Sequence, residues 1–249
     1  MFDLTGKVAI VTGCSTGLGQ GMALALANAG ADVVGVNQDD PAETIALMKK
    51  TGRQFHSVIA DMSKIASVSY VIKEAVSAFG HVDILVNNAG IIRRNDALDF
   101  TEKDWDDVMD LNIKAVFFMS QSFAKQVIAQ GTAGNIINIA SMLSYQGGIR
   151  VPSYTASKSG VMGVTRLLAN EWAKHGINVN AIAPGYMATD NTAALRADED
   201  RSSEILSRIP AGRWGTPSDM AGPIVFLASD ASRYVNGYTV AVDGGWLAR

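Results

Sequence analysis

Short runs of β-branched and aliphatic residues alternate with longer amphipathic stretches along the whole chain. A strand, a helix and a second strand form the repeating unit of a parallel sheet, so this alternation predicts successive βαβ units. Runs such as VAIVT and NIINIA are almost continuously apolar, which is typical of strands buried on both faces. The predicted strands are 8–12, 32–36, 55–59, 84–86, 135–139, 177–182 and 238–242. We therefore expect an α/β fold in which residues 1–249 form a single doubly wound domain, a parallel sheet with helices on both faces.

The polar stretch 189–208 interrupts this rhythm before the last helix and strand. Ligands bind at the carboxyl ends of the strands in such sheets, and this stretch follows the sixth predicted strand. A mobile lid over the ligand is one interpretation, and a pair of surface helices is an equally good one.

The charge and cysteine content exclude several classes of function. The formal net charge is -3, and the Lys and Arg residues are scattered, so we expect neither a nucleic acid nor a membrane surface as partner. The first residues contain no apolar run of membrane-spanning length, which favours a cytoplasmic protein. One cysteine, Cys14, forms no internal disulfide, and no His/Cys spacing is typical of a metal site.

A glycine-rich segment, TGCSTGLG, follows the first predicted strand and opens a helical pattern. Glycines at such a turn let the backbone and the helix N-terminus approach a pyrophosphate, although a plain turn is the alternative. Asn37 ends the second strand, where a dinucleotide fold places the residue that binds the adenosine ribose. Asp61 and Met62 follow the third strand and are candidates for adenine contacts, with a turn-forming Asp61 as the alternative. The candidate cofactor-binding residues of the glycine-rich segment are Gly13, Ser15, Thr16, Gly17, Leu18 and Gly19.

Ser141, Tyr154 and Lys158 form the candidate catalytic group. Tyr154 and Lys158 are four residues apart in a predicted helix, 152–174, so they lie on one face a turn apart. A phenol has a pKa of about 10, and a nearby ammonium favours the phenolate, so Lys158 is expected to make Tyr154 a usable base. Ser141 ends the fifth strand and is placed to bind the same substrate oxygen. Asn112, a polar residue inside a helical stretch, is a candidate for binding a relay water. Each residue alone also has an ordinary structural interpretation.

These motifs together resemble the short-chain dehydrogenase/reductase family. The resemblance is carried by TGCSTGLG, NNAG at 87–90, Asn112, Ser141, YTASK at 154–158 and PGYMAT at 184–189, and it extends over essentially the whole chain. It implies a Rossmann domain with strand order 3-2-1-4-5-6-7, hydride transfer between NAD(P) and a secondary alcohol or ketone, and a homotetramer with the C-terminal strand at a subunit contact. It implies a catalytic set of Asn112, Ser141, Tyr154 and Lys158, in which Lys158 also holds the nicotinamide ribose. By the same resemblance, further cofactor contacts are Asn88, Ala89, Gly90, Pro184, Gly185 and Thr189.

Three longer segments, 87–113, 141–163 and 209–232, resemble members of the family that oxidise small sugar acids of pectin and uronate breakdown with NAD(H). A carboxylate substrate needs a cation, and its hydroxyls need hydrogen-bonding groups. Arg94, Arg150 and Gln146 are the candidates beside Ser141 and Tyr154. A surface or subunit-interface position is an equally good interpretation for either arginine.

The choice between the two nicotinamide cofactors depends on the end of the second strand. Many members that prefer NAD carry an acidic residue at the position of Asn37, and members that prefer NADP place Arg or Lys beside it or before the second glycine. This chain has Gln38 and Thr16 there. With no cation for a 2′-phosphate, we expect NAD, with NADP less favoured. A 3-oxoacyl-thioester reductase, another polyol dehydrogenase and a dinucleotide-sensing regulator are the alternative functions, and the complete catalytic set argues against the regulator.

Overall fold

A computed structural model describes all 249 residues and contains one seven-stranded sheet with the order β3-β2-β1-β4-β5-β6-β7. Every neighbouring pair of strands is parallel. The predicted fold class and strand order are confirmed, and the predicted strand ends lie within two residues of those observed. The strands are β1 Val8–Thr12, β2 Asp32–Asn37, β3 Phe55–Ile59, β4 Ile84–Asn87, β5 Gly134–Ile139, β6 Ile177–Pro184 and β7 Thr239–Val242.

Helices connect the strands in the order that the sequence pattern predicts. They are α1 Gly17–Asn28, α2 Ala42–Lys49, α3 Ala66–Phe79, α4 Glu102–Met109, α5 Ala115–Gln130, α6 Pro152–Trp172, α7 Ala193–Ala197, α8 Glu199–Arg208 and α9 Ala221–Ala228. A single π-helical turn, Asp110–Lys114, joins α4 to α5. None of the helices is both long enough and apolar enough to cross a membrane.

The core lies in two layers, one on each face of the sheet. Alternate residues of β1 point to opposite faces, so that Val11 packs in the layer with Met22 of α1, while Ile10 packs in the layer with Phe123 of α5. Because both faces are covered, β1 is wholly buried, and its apolar run has the composition that a two-sided burial requires.

The stretch 189–208 forms the short helices α7 and α8 beside the carboxyl edge of the sheet. The side chain of Ile205 on α8 is buried in a small cluster with Met142, Ile209 and Trp246. The stretch therefore forms a pair of helices, as one of the two interpretations expects. Its movement as a lid stays a prediction.

A chain of buried polar side chains crosses the centre of the sheet and joins it to α5 and α6. The Asn87 amide donates to Asn138 Oδ1 at 2.8 Å and to Ser120 Oγ at 3.0 Å. The Asn138 amide donates in turn to Thr165 Oγ1 on α6 at 2.9 Å. Both hydroxyls donate to helix carbonyls one turn earlier. Since every member is satisfied, the network fixes the position of α6 without leaving an unpaired buried group.

We expect Asn138→Ala to lower the free energy of unfolding by about 1–3 kcal/mol, because it removes the acceptor of Asn87 and the donor to Thr165 inside the core. Urea denaturation measures the change. Asn178→Ala is the matched control, since Asn178 is only partly buried and donates to carbonyls at the protein surface. An equal or smaller loss in Asn138→Ala than in the control would contradict the proposed role of the network.

Candidate active site

A cavity of ≈ 380 Å³ lies at the carboxyl edge of the sheet, between the glycine-rich segment and the start of α6. It brings together most of the residues that the sequence singles out. Those that line the cavity are Gly13, Ser15, Thr16, Gly17, Leu18, Gly19, Asn88, Ala89, Gly90, Ser141, Tyr154, Lys158, Pro184, Gly185 and Thr189. Those outside the lining are Asn37, Asp61, Met62, Arg94, Asn112, Gln146 and Arg150.

The glycine-rich segment needs glycine at specific positions. Gly17 has a φ of 60°, a conformation that side chains rarely adopt, and it begins α1. A Cβ atom on Gly19 would lie 2.0 Å from the carbonyl oxygen of Gly13 and 2.4 Å from the amide nitrogen of Asn88. A side chain at position 19 would therefore force the turn apart.

Asn88 holds the end of β1 against the end of β4. Its side-chain amide donates to the carbonyl of Thr12 at 2.9 Å and to that of Gly13 at 2.7 Å. The hydroxyl of Thr12 accepts from the backbone N–H groups of Asn88 and Ala89, each at 3.0 Å. The NNAG motif thus fixes the turn that the glycine-rich segment makes, which explains its place beside the cavity.

Asn37 stabilises the same segment from the end of β2 instead of facing the cavity. It is buried, its Oδ1 accepts from the N–H of Cys14 at 2.8 Å, and its Nδ2 lies 3.6 Å from the Cys14 sulfur. Both polar atoms of the Asn37 amide thus contact Cys14, and the expected contact of Asn37 with the adenosine ribose stays a prediction. Burial raises the pKa of the Cys14 thiol to about 11, so this buried cysteine packs in the core and is not a reactive thiolate.

The N-terminus of α1 fits a phosphate group. The N-cap residue, Thr16, makes no side-chain hydrogen bond to the first turn, and the residues of that turn, Gly17, Leu18 and Gly19, line the cavity. Because the free N–H groups of a first turn and the helix dipole stabilise an anion, and glycines keep the approach open, this end of the cavity suits the pyrophosphate of a dinucleotide.

Ser141, Tyr154 and Lys158 meet at the other end of the cavity. Ser141 follows β5 and is the N-cap of a single turn, with its hydroxyl accepting from the N–H of Leu143 at 3.1 Å. The Lys158 ammonium donates to the carbonyl of Ile139, the last residue of β5, at 2.6 Å. Its nitrogen lies 5.7 Å from the centroid of the Tyr154 ring. The predicted grouping of a serine, a tyrosine and a lysine therefore has a geometric basis.

Burial shifts the pKa values of both titratable groups of this cluster, Tyr154 and Lys158. Burial raises the pKa of Tyr154, while hydrogen bonding with Ser141 and the positive charge of Arg94 act to lower it. Burial lowers the pKa of Lys158 to about 8. The expected lowering of the phenol pKa by a charged Lys158 stays a prediction.

Asn112 lies beneath the cavity, in the π-helical turn, and is completely buried. Its Oδ1 accepts from the N–H of Ile91 and its Nδ2 donates to the carbonyl of the same residue, both at 2.9 Å. A weaker contact of 3.4 Å joins Nδ2 to the hydroxyl of Ser157. Asn112 thus fixes Ile91, which lines the cavity, and its binding of a relay water stays a prediction.

The candidate substrate residues differ in their surroundings. Arg94 Nη2 donates to the carbonyl of Asn191 at 3.2 Å, across the mouth of the cavity. Arg150 Nε lies 3.4 Å from a carboxylate oxygen of Asp96, and its φ of 64° is the only positive φ of a non-glycine residue. Gln146 is partly exposed on the loop that leads to Arg150.

Asp61 accepts from the backbone N–H of Ser63 at 2.9 Å and from its hydroxyl at 2.7 Å, as a turn-forming aspartate does. Met62 is buried in the apolar layer. Their predicted contacts with an adenine stay predictions.

Several residues of the site carry no signal that the sequence argument used. Ser144 donates to the carbonyl of Lys158 at 2.7 Å and so joins the turn after β5 to α6. Thr44 on α2 donates to the carbonyls of Cys14 and Ser15 and supports the glycine-rich segment. Asp190 and Asn191 line the cavity from the start of the 189–208 stretch. The sequence indicates this last pair only as part of the candidate lid 189–208, not as single residues.

Comparisons with known proteins identify the family of the chain. A family model described as enoyl-(acyl carrier protein) reductase matches residues 13–247. The 2-dehydro-3-deoxy-D-gluconate 5-dehydrogenase of Escherichia coli (strain K12) is 74% identical over 248 residues, covering 100% of this chain and 98% of that protein.

Solved structures extend the similarity to the fold. A protein of Agrobacterium tumefaciens assigned as a 2-deoxy-D-gluconate 3-dehydrogenase, with bound NADP, is 56% identical with a TM-score of 0.94, covering 100% of this chain and 99% of that one. A gluconate 5-dehydrogenase of Burkholderia cenocepacia in complex with NADP and tartrate is 38% identical with a TM-score of 0.95, covering 100% and 98%. The chain belongs to the short-chain dehydrogenase/reductase family and is an NAD(P)-dependent oxidoreductase.

Proposed function

We propose that the protein interconverts 2-dehydro-3-deoxy-D-gluconate and 3-deoxy-D-glycero-2,5-hexodiulosonate with NAD(H), as a cytoplasmic step of pectin and uronate catabolism. The reaction type is supported by one observation. Ser141, Tyr154 and Lys158 line one end of the cavity, and the N-terminus of α1, which has no side-chain cap, lies at the other end. Similarity over the full chain to a dehydrogenase of this sugar acid supports the substrate class. A single, buried, free cysteine is compatible with a reducing compartment.

In this proposal the two ends of the cavity hold different parts of the cofactor. The segment from Ser15 to Leu18 would hold the pyrophosphate, and Pro184, Gly185 and Thr189 would border the nicotinamide. Lys158 would hold the adjoining ribose. A bound nicotinamide supplies the acceptor of the hydride in oxidation and its donor in reduction.

Ser141, Tyr154 and Lys158 carry out the proton transfer of the reaction. In oxidation, the Tyr154 phenolate takes the proton of the substrate hydroxyl while the hydroxyl of Ser141 donates a hydrogen bond to the same oxygen, which becomes the carbonyl oxygen. Lys158 and a water bound by Asn112 pass the proton outward. The reverse path protonates the carbonyl oxygen in reduction.

The substrate contacts of this proposal lie at the cavity mouth. Arg94 and Arg150 are the candidate partners of the carboxylate, and Gln146 is a candidate partner of a hydroxyl. The ion pair of Arg150 with Asp96 joins two exposed side chains, so a substrate carboxylate replaces Asp96 at little cost.

A preference for NAD is supported by the charges near the glycine-rich segment. Lys158 is the only Lys or Arg among the lining residues, and it lies at the catalytic end. The residues that follow Asn37 include the exposed carboxylates Asp39 and Asp40. An additional phosphate at this position would meet no cation and two negative charges, so NADP binds less well.

A homotetramer is part of the same proposal, and two surfaces support it. The edge strand β7 pairs only with β6, and Tyr234 and Tyr238 beside it are largely exposed. On the outer face of α5 and α6, the apolar side chains of Ile128 and Leu167 are also exposed. Two separate apolar surfaces suit the two interfaces of a symmetric tetramer.

We expect the protein to oxidise 2-dehydro-3-deoxy-D-gluconate with NAD at least tenfold more efficiently than with NADP, and to show little turnover of a β-hydroxyacyl thioester or a neutral polyol. Absorbance of the reduced cofactor measures all these reactions. Tyr154→Phe should bind NAD normally and lose about 10²-fold or more in turnover, because the proton acceptor is gone.

The outcomes separate the alternatives. Faster turnover of the thioester or of a neutral polyol would assign one of those reactions instead. NAD binding without turnover of any substrate would favour a regulator. A fully active Tyr154→Phe enzyme would contradict the catalytic role of the tyrosine.

The buried Lys158 predicts a stability that rises with pH. Its pKa is about 8 in the folded protein and 10.5 when unperturbed, so between these values the unfolded chain binds more protons and the free energy of unfolding increases. The increase is at most about 3 kcal/mol. Urea denaturation at pH 7 and pH 9.5 should show it in the wild type and not in Lys158→Met. Lys125→Met, which removes an exposed lysine, is the control, and equal slopes in all three proteins would contradict the assignment.

In light scattering after gel filtration, we expect a particle of roughly four times the 26.3 kDa chain mass. Leu167→Glu should halve that mass, because it places a charge in the apolar surface of α6. Ile59→Glu, on the opposite edge of the sheet at β3, should leave it unchanged. A monomeric wild type would overturn the tetramer.

A further inference from the structure

The side chain of Thr44 joins α2 to the glycine-rich segment. Its hydroxyl donates to the carbonyl of Cys14 at 2.8 Å and shares the same proton with the carbonyl of Ser15 at 3.0 Å. The side-chain amide of Gln20 on α1 donates to the Ser15 carbonyl at 3.2 Å and to the Thr44 hydroxyl at 3.0 Å. Because Thr44 is completely buried, water does not compete for its hydroxyl. The directions of two successive carbonyl groups are therefore fixed from inside the protein.

The direction of each carbonyl also fixes the direction of the next N–H group. All peptide bonds of the chain are trans, and in a trans peptide the C=O and N–H groups point in opposite directions. Since the carbonyls of Cys14 and Ser15 are directed at Thr44, the N–H groups of Ser15 and Thr16 point away from it. Neither N–H group has an acceptor within the protein, and both residues line the cavity.

The two N–H groups before these are bonded within the protein. That of Gly13 donates to the carbonyl of Val36 at 2.7 Å, and that of Cys14 donates to Asn37 Oδ1 at 2.8 Å. The change from paired to unpaired N–H groups thus occurs at the first peptide whose carbonyl Thr44 holds. Thr44 itself does not line the cavity, so it acts on a ligand only through the backbone of this segment.

We propose that Thr44 is a positioning residue for the cofactor. By holding two carbonyls of the glycine-rich segment, it directs the N–H groups that follow them at the adenosine diphosphate part of NAD(H). Gln20 supports this role by restraining the Thr44 hydroxyl. Because the N–H groups are set before binding, the cofactor does not have to order them. The inference rests on the placement of the pyrophosphate in the proposed function and does not depend on which sugar acid is the substrate.

The first test needs no substrate and compares Thr44→Val with Thr44→Ser in the Kd of NADH, measured by fluorescence titration of the full chain. Valine has the shape of threonine without the hydroxyl, so the Kd should rise about tenfold, as the loss of one hydrogen bond to a charged group predicts. Serine keeps the hydroxyl and should stay within about twofold of the wild type. ADP-ribose, titrated by displacement of NADH, should weaken by the same factor as NADH, because the two share the adenosine diphosphate part.

The second test separates KM from kcat in sugar-acid oxidation. In Thr44→Val the KM of NAD should rise, while kcat at saturating NAD should stay within about twofold of the wild type, because the catalytic end of the cavity is untouched. A general loosening of the fold would lower kcat as well. Thr51→Val is the matched control: the Thr51 hydroxyl follows the same helix but donates to the carbonyl of Met48 at 2.7 Å, so both constants should be unchanged.

An unchanged Kd of NADH in Thr44→Val would overturn the inference, and so would a weakened NADH with an unchanged ADP-ribose. Circular dichroism verifies the fold of each variant. If Thr44→Val does not fold, Gln20→Leu decides in its place, with an expected rise of about threefold in both Kd values and no rise as the contradicting result. A wild type that turns over no sugar acid would overturn the proposed substrate, while the NADH titration would still decide the role of Thr44.

Discussion

Burial of the sheet on both faces is the constraint on which the rest of the structure depends. With helices packed on either side, a strand interior has no room for an unpaired polar side chain. Residues that bind ligands or take part in the reaction therefore lie where the strands end. Thr12 ends β1, Asn37 ends β2, Asn88 follows β4, Ser141 follows β5 and Pro184 ends β6. Because all the strands are parallel, these positions share one edge, and the cavity forms there.

Buried polar residues at the centre of the sheet form hydrogen bonds that join the sheet to the helices packed on it. The register places Asn87 opposite Asn138, and their amides connect the sheet to Thr165 of α6. The same helix is held at its catalytic end by the bond from Lys158 to the last carbonyl of β5. Two attachments along one helix leave Tyr154 little freedom relative to Ser141. Because this geometry is already set, the catalytic side chains lose little conformational entropy when the substrate binds.

The sequence predicts the parts of this structure that have a period or a spacing. Strand positions followed from apolar runs, and the pairing of Tyr154 with Lys158 followed from their separation of one helical turn. The choice of hydrogen-bond partner has no such signal. Asn37 stands at the expected strand end yet bonds to Cys14, and Arg150 stands near the site yet pairs with Asp96. These choices depend on loops whose conformation no local pattern encodes.

Stability and chemistry oppose each other at the buried lysine of the site. Burial lowers the pKa of Lys158 to about 8, because the charged form loses its hydration. The carbonyl of Ile139, which accepts from the ammonium at 2.6 Å, offsets part of that loss. The fold thus keeps a titratable cation one helical turn from Tyr154, and the cost in stability falls as the pH rises and the unfolded chain loses the same proton.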